Sequence, residues 1–252
     1  LYGGSANDTM YGGASSDTVY GGTGADALFG NAGNDKIFTQ GGADTVHGGA
    51  GNDSIVAETS STVANLIYGN VGADTISGAE GDDTIFGGQN NDNIQGGDDA
   101  DVVYGNKGTD TLYGGDDNDV VYGGQANDVV YGGSGADTLF GNAGVDVLYG
   151  ASGSDVLYGG AGADNLFGGL SGDTLSGGEG NDTLTGGGTG SDVLYGGEGI
   201  DSINAISGDV AYGGEGNDSI TFGADQTANA YGGSCDDYIN ATGAGGEGPS
   251  YS

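Results

Sequence analysis

The sequence has very little of several residue types on which folds and binding sites commonly depend. Its 252 residues include one cysteine, one proline, one histidine and only two basic residues, Lys36 and Lys107. The single cysteine, Cys235, has no partner for an internal disulfide. Two lysines cannot form the clustered positive charge of a nucleic-acid site. No apolar run approaches the length of a membrane span, so we expect no transmembrane segment.

Glycine and acidic residues are abundant instead. Glycine supplies 62 residues, and 37 acidic side chains leave a net charge of −35. So much glycine is typical of disordered chains or of collagen. Collagen is excluded because proline is nearly absent and because the sequence repeats every nine residues instead of every three. Disorder is disfavoured because an aliphatic residue recurs once in each repeat.

The repeat reads G-G-x-G-x-D-x-U-x, where U is aliphatic, and residues 159–167 and 213–221 are clean copies. We number its positions from one to nine in this order. The sequence contains 26 eighth positions, from Met10 to Ile239, and we number the repeats from that of Met10. A fixed short period indicates a solenoid, in which each repeat is one structural unit stacked on the next.

This repeat resembles the RTX, or haemolysin-type, calcium-binding repeat over nearly the whole chain. The resemblance implies an all-β fold, a right-handed parallel β-roll solenoid with two nonapeptide repeats per coil and about 13 coils. It also implies Ca²⁺ as the cofactor, with many ions in two rows and each ion between turns two repeats apart. We expect one continuous roll over residues 1–240, with an insertion near 58–63 and irregular repeats after 186. A loose tail should follow at 241–252.

The aspartates at the sixth position are the candidate metal ligands, because carboxylate and carbonyl oxygens suit Ca²⁺ better than zinc or copper. Odd and even repeats fall on opposite sides of the roll and give two rows. The even repeats form what we call the unbroken row: Asp17, Asp35, Asp53, Asp74, Asp92, Asp110, Asp128, Asp146, Asp164, Asp182, Asp201, Asp218 and Asp237. The odd repeats form the interrupted row: Asp8, Asp26, Asp44, Asp83, Asp101, Asp119, Asp137, Asp155, Asp173, Asp192 and Asp209, with Asn65 and Ala228 in place of aspartate. We predict weak sites beside Asn65 and weak or empty sites beside Ala228.

The core that the repeat can form is thin. One aliphatic residue per repeat buries too little apolar surface to offset the conformational entropy of 252 residues, and aligned aspartates repel one another. A bound cation is the natural source of the missing stabilisation. The sequence therefore predicts that folding is coupled to calcium binding.

The strand of each repeat is predicted to cover only positions seven to nine, and positions one to six form the turn. Glycine in the turn permits left-handed φ and a close approach of the backbone. Asn90, Asp99 and Asp117 replace the fourth-position glycine with residues that tolerate left-handed φ. Four other turns should be strained or differently shaped, because alanine or serine takes that position: Ala6, Ser15, Ala126 and Ser171.

The outward ninth positions are rich in aromatic residues. In the odd repeats, every ninth position is aromatic except His47 and Ser176, whereas in the even repeats fewer than half are aromatic. One interpretation is that the rings stack on one another as a ladder. The other is that the strip is an interaction face. Self-association would then use this face or the open ends of the solenoid.

His47 and Cys235 are the residues that could suggest catalysis. A solenoid face offers His47 no cleft with an orienting carboxylate. Cys235 lies beside Asp236, and an acidic neighbourhood disfavours a reactive thiolate. We therefore predict no catalytic residue and no enzyme activity in this segment.

These features favour a structural module of a secreted or cell-surface protein, such as a surface layer, an adhesin or an extracellular filament. The alternative is the C-terminal secretion and folding module of a secreted RTX enzyme or toxin. Ice binding is a third hypothesis, but its ladder of third-position threonines is reduced here to Thr23 and Thr189. The resemblance implies type I secretion and an extracellular or cell-surface location. Because Leu1 and Tyr2 occupy the last two positions of a repeat, we expect a fragment of a larger protein.

Overall fold

The computed structural model describes residues 1–57, 62–206, 208–223 and 229–241. Within these ranges the chain forms 27 β-strands and no helix. None of the described residues therefore belongs to a helix that could cross a membrane. The chain divides into two compact units, Leu1–Val129 and Val130–Ser252. The strands are numbered in chain order.

The first unit consists of two parallel sheets, and successive strands alternate between them. The odd-numbered strands form one sheet: β1 (Tyr2–Gly4), β3 (Thr18–Thr23), β5 (Lys36–Gly41), β7 (Ser54–Val56), β9 (Thr75–Glu80), β11 (Asn93–Asp98) and β13 (Thr111–Asp116). The even-numbered strands form the other: β2 (Thr9–Gly13), β4 (Ala27–Ala32), β6 (Thr45–Ala50), β8 (Leu66–Val71), β10 (Thr84–Gln89), β12 (Val102–Lys107) and β14 (Val120–Gln125). Since each strand pairs with the next strand but one, two repeats make one coil.

The second unit repeats this arrangement and contains all but the first residue of β15 (Val129–Ser134). Its odd-numbered sheet continues with β17 (Val147–Ser152), β19 (Asn165–Leu170), β21 (Thr183–Thr185), β23 (Ser202–Ala205), β25 (Ser219–Phe222) and β27 (Tyr238–Ala241). Its even-numbered sheet contains β16 (Thr138–Ala143), β18 (Val156–Ala161), β20 (Thr174–Glu179), β22 (Val193–Glu198), β24 (Val210–Glu215) and β26 (Asn229–Ser234). Two strands per coil give about 13 coils in the two units. The all-β parallel solenoid is confirmed, whereas its right-handed sense stays a prediction.

Most strands are six residues long, so the prediction of three-residue strands was wrong. In β18 the strand runs through positions seven to nine and on through the first three positions of the next repeat. Gly160 aligns with Gly178 and Ala161 with Glu179 on β20. Glycine disfavours strands by intrinsic propensity. Pairing with a neighbouring coil of the same sequence pattern overrides that preference.

The core contains one aliphatic side chain from each repeat, as the period predicts. Nearly all eighth positions from Met10 to Ile220 are fully buried. The last two, Ala230 and Ile239, are only half-buried because they lie at the end of the second unit. Strands alternate inward and outward residues, so the first position also points inward, and so does the sixth-position aspartate before the strand.

Part of the predicted insertion, residues 58–61, lies outside the described residues. The adjoining Thr62 and Val63 are exposed and belong to no strand. The predicted loose tail also lies outside the described residues, apart from Ala241 at the end of β27. The continuous roll over residues 1–240 stays a prediction.

Candidate cation-binding turns

The turns between the strands place the sixth-position aspartates in the interior of each unit. All 24 candidate aspartates belong to the described residues, and all but three are buried. The three exceptions, Asp8, Asp17 and Asp237, are half-buried and lie near the ends of the described chain. Burying a charged carboxylate is costly unless the charge is paired and hydrogen-bonded. The turns must therefore provide these carboxylates with hydrogen bond donors or with a positive charge.

One carboxylate oxygen is satisfied by a hydrogen bond that joins neighbouring coils. The backbone N–H of Asp146 donates to Oδ1 of Asp164 at 2.8 Å, and the N–H of Asp155 donates to Oδ1 of Asp173 at 2.9 Å. The same bond recurs along both rows. Asn65 keeps it, since its Oδ1 accepts from the N–H of Asp44 at 3.1 Å. An amide can thus replace the carboxylate in this ladder.

The fifth position forms a second side-chain ladder, which the sequence analysis missed. Oδ1 of Asn91 accepts a hydrogen bond from the N–H of Thr109 at 3.0 Å, and Oδ1 of Asn181 accepts from the N–H of Ile200 at 2.8 Å. These bonds reach toward the following coil, whereas the aspartates accept from the preceding coil. Each turn is therefore joined to both of its neighbours. Asparagine recurs often enough at this position to serve as a signal for the ladder.

The other carboxylate oxygen, Oδ2, has no hydrogen bond donor in most turns. The buried Oδ2 atoms without such a partner belong to Asp8, Asp26, Asp35, Asp44, Asp53, Asp74, Asp83, Asp92, Asp101, Asp110, Asp155, Asp164, Asp173, Asp182, Asp192, Asp201 and Asp218. An unsatisfied buried group costs roughly 1–3 kcal/mol, and more when it is charged. Because this unsatisfied Oδ2 atom recurs in so many turns, the arrangement fits a cation bound beside these carboxylates.

The first-position glycine leaves room beside this oxygen. A Cβ atom built on Gly159 would lie 2.5 Å from Oδ2 of Asp164 and 2.6 Å from the carbonyl oxygen of Gly177. A carboxylate oxygen and a carbonyl oxygen thus border the space that a side chain would fill. Such hard oxygen donors are the ligands that Ca²⁺ prefers.

Burial also changes the protonation of these aspartates. It raises the pKa of Asp92 and of Asp101 to about 8 and that of Asp83 and of Asp173 to about 7. Hydrogen bonds from the backbone lower each pKa by less, and neighbouring carboxylates raise it further. The fold therefore favours a proton or a cation at these groups over a bare negative charge.

No three acidic, histidine or cysteine side chains converge on one point within the described ranges. A regular turn supplies one buried carboxylate, so most donors to a cation beside it must be backbone carbonyl groups. Calcium accepts such mixed oxygen ligands, whereas Mg²⁺ requires a stricter octahedron and retains water. The donor chemistry of the turns therefore fits Ca²⁺.

The turns adopt left-handed backbone at positions that glycine does not always occupy. Asn90, Asp99 and Asp117 have positive φ, as expected. Ala126 and Ser171 share it, at 77° and 78°, which is unfavourable for residues with a Cβ atom.

Ala6 and Ser15 avoid positive φ, so their turns have a different shape. A set of second-position asparagines with positive φ was not foreseen: Asn31, Asn70, Asn106 and Asn142. The side-chain amide of Asn70 donates to the carbonyl of Tyr68 at 3.2 Å, which supports the turn locally.

The aromatic ninth positions stack on one another within each unit. In the first unit the centroids of Phe86 and Tyr104 are 4.7 Å apart and their planes differ by 4°. His47 belongs to the same stack, 5.0 Å from Phe29 and 4.7 Å from Tyr68. Burial lowers the pKa of His47. The ladder interpretation is therefore correct for these rings, and it gives the single histidine a packing role.

Comparisons with known proteins agree with this reading of the turns. A family model described as the RTX calcium-binding nonapeptide repeat (4 copies) matches ten stretches: residues 1–28, 20–55, 61–94, 86–121, 95–130, 122–157, 140–184, 167–203, 186–209 and 206–226. Together they cover far more than half of the chain. No curated protein matches the sequence.

The fold is also similar to that of solved structures, and one of these is informative here. It is the crystal structure of a hyperactive, Ca²⁺-dependent, beta-helical antifreeze protein from an Antarctic bacterium. The TM-score is 0.56 at 23% sequence identity, and the match covers 94% of this chain and 84% of that chain. At this identity the likeness supports the parallel β-solenoid fold and nothing further.

Proposed function

The chain belongs to the RTX calcium-binding nonapeptide repeat family, and from this we propose that it is a structural calcium-binding β-roll of a secreted or cell-surface protein. It would serve in a surface layer, an adhesin or an extracellular filament. The observation that carries the proposal is the recurring buried Oδ2 atom without a hydrogen bond donor. A fold with such a cost in most of its turns needs the cation in order to form.

We assign the calcium ligands to the 24 sixth-position aspartates of the two rows, together with backbone carbonyl groups of the turns. In the regular turns a backbone N–H of the preceding coil fixes Oδ1, so that Oδ2 stays in the interior beside the first-position glycine. Bound calcium would supply the positive charge that these carboxylates lack. The chain's own part is to hold one carboxylate per turn in a fixed orientation.

An extracellular location is supported by the affinity expected of such sites. Calcium sites of extracellular modules bind at about 10⁻⁴–10⁻³ M. The chain has a net charge of −35 and most of its aspartates are buried. It would therefore stay unfolded where calcium is scarce and fold where calcium is abundant. The role that we propose is structural, because the regular turns use their buried carboxylates to hold the cation.

We also propose that the calcium-loaded chain associates with itself through the outward aromatic strip. Tyr158, Tyr195 and Tyr231 keep 42%, 43% and 52% of their surface exposed. Calcium would reduce the repulsion between two acidic copies. Sedimentation at rising protein concentration, with these tyrosines changed to serine in a parallel sample, tests the idea. A wild-type chain that remains monomeric throughout contradicts it.

Circular dichroism during a calcium titration tests the main proposal. We expect a spectrum without β-structure in excess chelator and a cooperative gain of β-structure as calcium is added, because neighbouring coils stabilise one another. Magnesium at the same concentration is the matched control and should restore much less structure. A full β-spectrum in chelator contradicts the proposal.

A further inference from the structure

The outer face of the even-numbered sheet in the first unit has a period that the aspartate rows do not explain. On this face the second-position residue follows the ninth-position ring. From β4 to β14 these second positions alternate between asparagine and glycine on successive coils. In strand order they are Asn31, Gly49, Asn70, Gly88, Asn106 and Gly124. The face therefore repeats every two coils, whereas the sixth-position aspartates recur at every coil.

The backbone alone does not require this alternation. The asparagines have positive φ, at 75° for Asn31, 77° for Asn70 and 75° for Asn106, and glycine adopts such a φ without the cost of a Cβ atom. Glycine already occupies this position on the coils between them. In the odd-numbered sheet of the same unit, no second position is asparagine. The amides thus recur on one face only, and their side chains need a further explanation.

Each of these amides is held in place by its own turn. The side-chain amide of Asn70 donates to the carbonyl of Tyr68 at 3.2 Å, and that of Asn106 donates to the carbonyl of Tyr104 at 3.4 Å. An asparagine amide has two N–H donors and one acceptor oxygen. Asn106 is exposed and Asn70 is half-buried. The second N–H and the oxygen of each amide are therefore available to a ligand at the surface.

Gly88 lies between two of these amides and opens a groove there. The strand register places Asn70 on one side of Gly88 and Asn106 on the other. The groove has a volume of about 390 Å³. Its lining includes Tyr68, Asn70, Phe86, Gly88, Asn106 and Lys107. The missing side chain of Gly88 thus leaves a notch between two amides and beside a wall of rings.

The faces of these rings are covered by one another. The centroids of Tyr68 and Phe86 are 5.0 Å apart with planes that differ by 7°, and Phe86 stacks on Tyr104 in the same way at 4.7 Å. A ligand in the groove therefore meets ring edges and amides instead of a ring face. Such a surface suits a ligand with many hydroxyl groups better than a flat aromatic molecule.

The rim of the groove carries hydrogen bond donors. Gln89, Lys107 and Gln125 align at the third position on successive coils, and all three are exposed. In this unit the even-numbered strands and the turns that follow them contain no acidic residue apart from the sixth-position aspartates. The other acidic residues in the described part of the unit belong to repeats of the interrupted row: Glu80, Asp82, Asp98, Asp99, Asp116 and Asp117. The groove is thus free of exposed acids in a chain of net charge −35.

We propose that this groove binds a linear, uncharged glycan with the straight disaccharide repeat of cellulose or chitin, extended across the coils. Neighbouring coils are about 4.8 Å apart, so the amides recur roughly every 10 Å. One disaccharide of such a glycan has a similar length, so each disaccharide meets one asparagine and one glycine notch. An acidic glycan is disfavoured because the interrupted-row repeats carry exposed negative charge. The proposal goes beyond the calcium-binding role and requires only the folded chain.

Isothermal titration calorimetry of the full chain in excess calcium tests the proposal with cello-oligosaccharides of two, four and six sugars. The affinity should rise by about tenfold or more from the disaccharide to the hexasaccharide, because each added disaccharide reaches another amide. Laminari-oligosaccharides of equal length are the ligand control. Their linkage curves the chain, so they should bind much more weakly.

A double variant, Asn70→Gly with Asn106→Gly, removes both amides beside Gly88. It should lower the affinity for the hexasaccharide by about tenfold or more. Glycine adopts the positive φ of both positions, and circular dichroism in calcium checks that the fold is retained. Gln40→Gly is the matched control, because Gln40 also has a positive φ at the second position but lies on β5 of the other sheet. It should leave the affinity unchanged.

Several results would overturn the proposal. An affinity that does not depend on glycan length, or a double variant that binds as tightly as the wild type, excludes recognition by the repeated amides. Equal or tighter binding of a uronic acid oligomer assigns the groove to acidic glycans instead. If no glycan binds and the double variant loses self-association in sedimentation, the groove receives a second copy of the chain.

Discussion

At the scale of the residue, each sixth-position aspartate divides two tasks between its two oxygens. Oδ1 of Asp164 accepts the backbone N–H of Asp146 and thereby joins two coils. Its Oδ2 is buried without a donor and faces the space beside Gly159. Aspartate is suited to this position because it is short, carries two acceptors and has the negative charge that a cation requires.

We expect Asp164→Asn to separate these tasks. The amide oxygen can keep the bond between coils, as Asn65 does, but the variant loses one charged ligand. The calcium midpoint of folding should therefore rise several-fold, whereas Asp164→Ala should also lose the hydrogen bond, roughly 1 kcal/mol.

Glu198→Gln removes one exposed charge and serves as the control for charge alone. It should shift the midpoint much less than Asp164→Asn does. An equal shift for the two variants in a calcium titration followed by circular dichroism would contradict the account.

At the scale of the element, the nine-residue repeat predicts the packing of the coils better than it predicts the length of the strands. The buried eighth positions, the inward aspartates and two repeats per coil all follow from the period of nine. The six-residue strand was not predictable from glycine's propensity, since pairing between alike coils determines it. The fifth-position ladder was missed because asparagine, aspartate, serine and alanine alternate there. The direction of its hydrogen bonds depends on how coils are stacked, which the sequence does not state.

The stacked rings allow a test of one element by itself. Ser176 on β20 aligns with Tyr158 on one side and Tyr195 on the other, so it interrupts a row of rings. Ser176→Tyr would place a ring next to both tyrosines and should stabilise the calcium-loaded chain by about 0.5–1.5 kcal/mol. Thermal unfolding in excess calcium would measure this gain.

Ser77→Tyr is the control for that substitution, because Ser77 aligns with Val56 and Gln95 and has no ring beside it. It should give a smaller gain. If both variants change the melting temperature equally, stacking between coils contributes little.

At the scale of the whole molecule, charge is the dominant property. The chain carries a net charge of −35 with two lysines, and most of its aspartates are buried. Without calcium, these carboxylates can be neutralised only by protons. Protons and calcium should therefore stabilise the same fold by binding to the same carboxylates. Protons should do so at low pH, and calcium at higher pH.

The pH dependence without calcium follows from the raised pKa values. Asp92 and Asp101 shift from 3.8 to about 8 on folding. Between these values the folded state binds more protons than the unfolded state, so its stability falls as pH rises. We expect the calcium-free chain to have more β-structure near pH 4.5 than at pH 8.

With excess calcium the trend should reverse, because calcium binds the ionised carboxylate and releases protons. Circular dichroism of calcium-depleted and calcium-loaded samples across this range checks both trends. Calcium-free stability that increases toward pH 8 would contradict the assignment of buried, proton-binding carboxylates.

The central claim is that calcium lies beside the first-position glycines and is held by the buried aspartates. Anomalous scattering from crystals grown in calcium tests it most directly, because it locates each ion. The account predicts a peak within ligand distance, about 2.3–2.6 Å, of Oδ2 in the regular turns, Asp164 among them. Peaks confined to exposed carboxylates such as Glu198, with none beside Asp164, would contradict the claim.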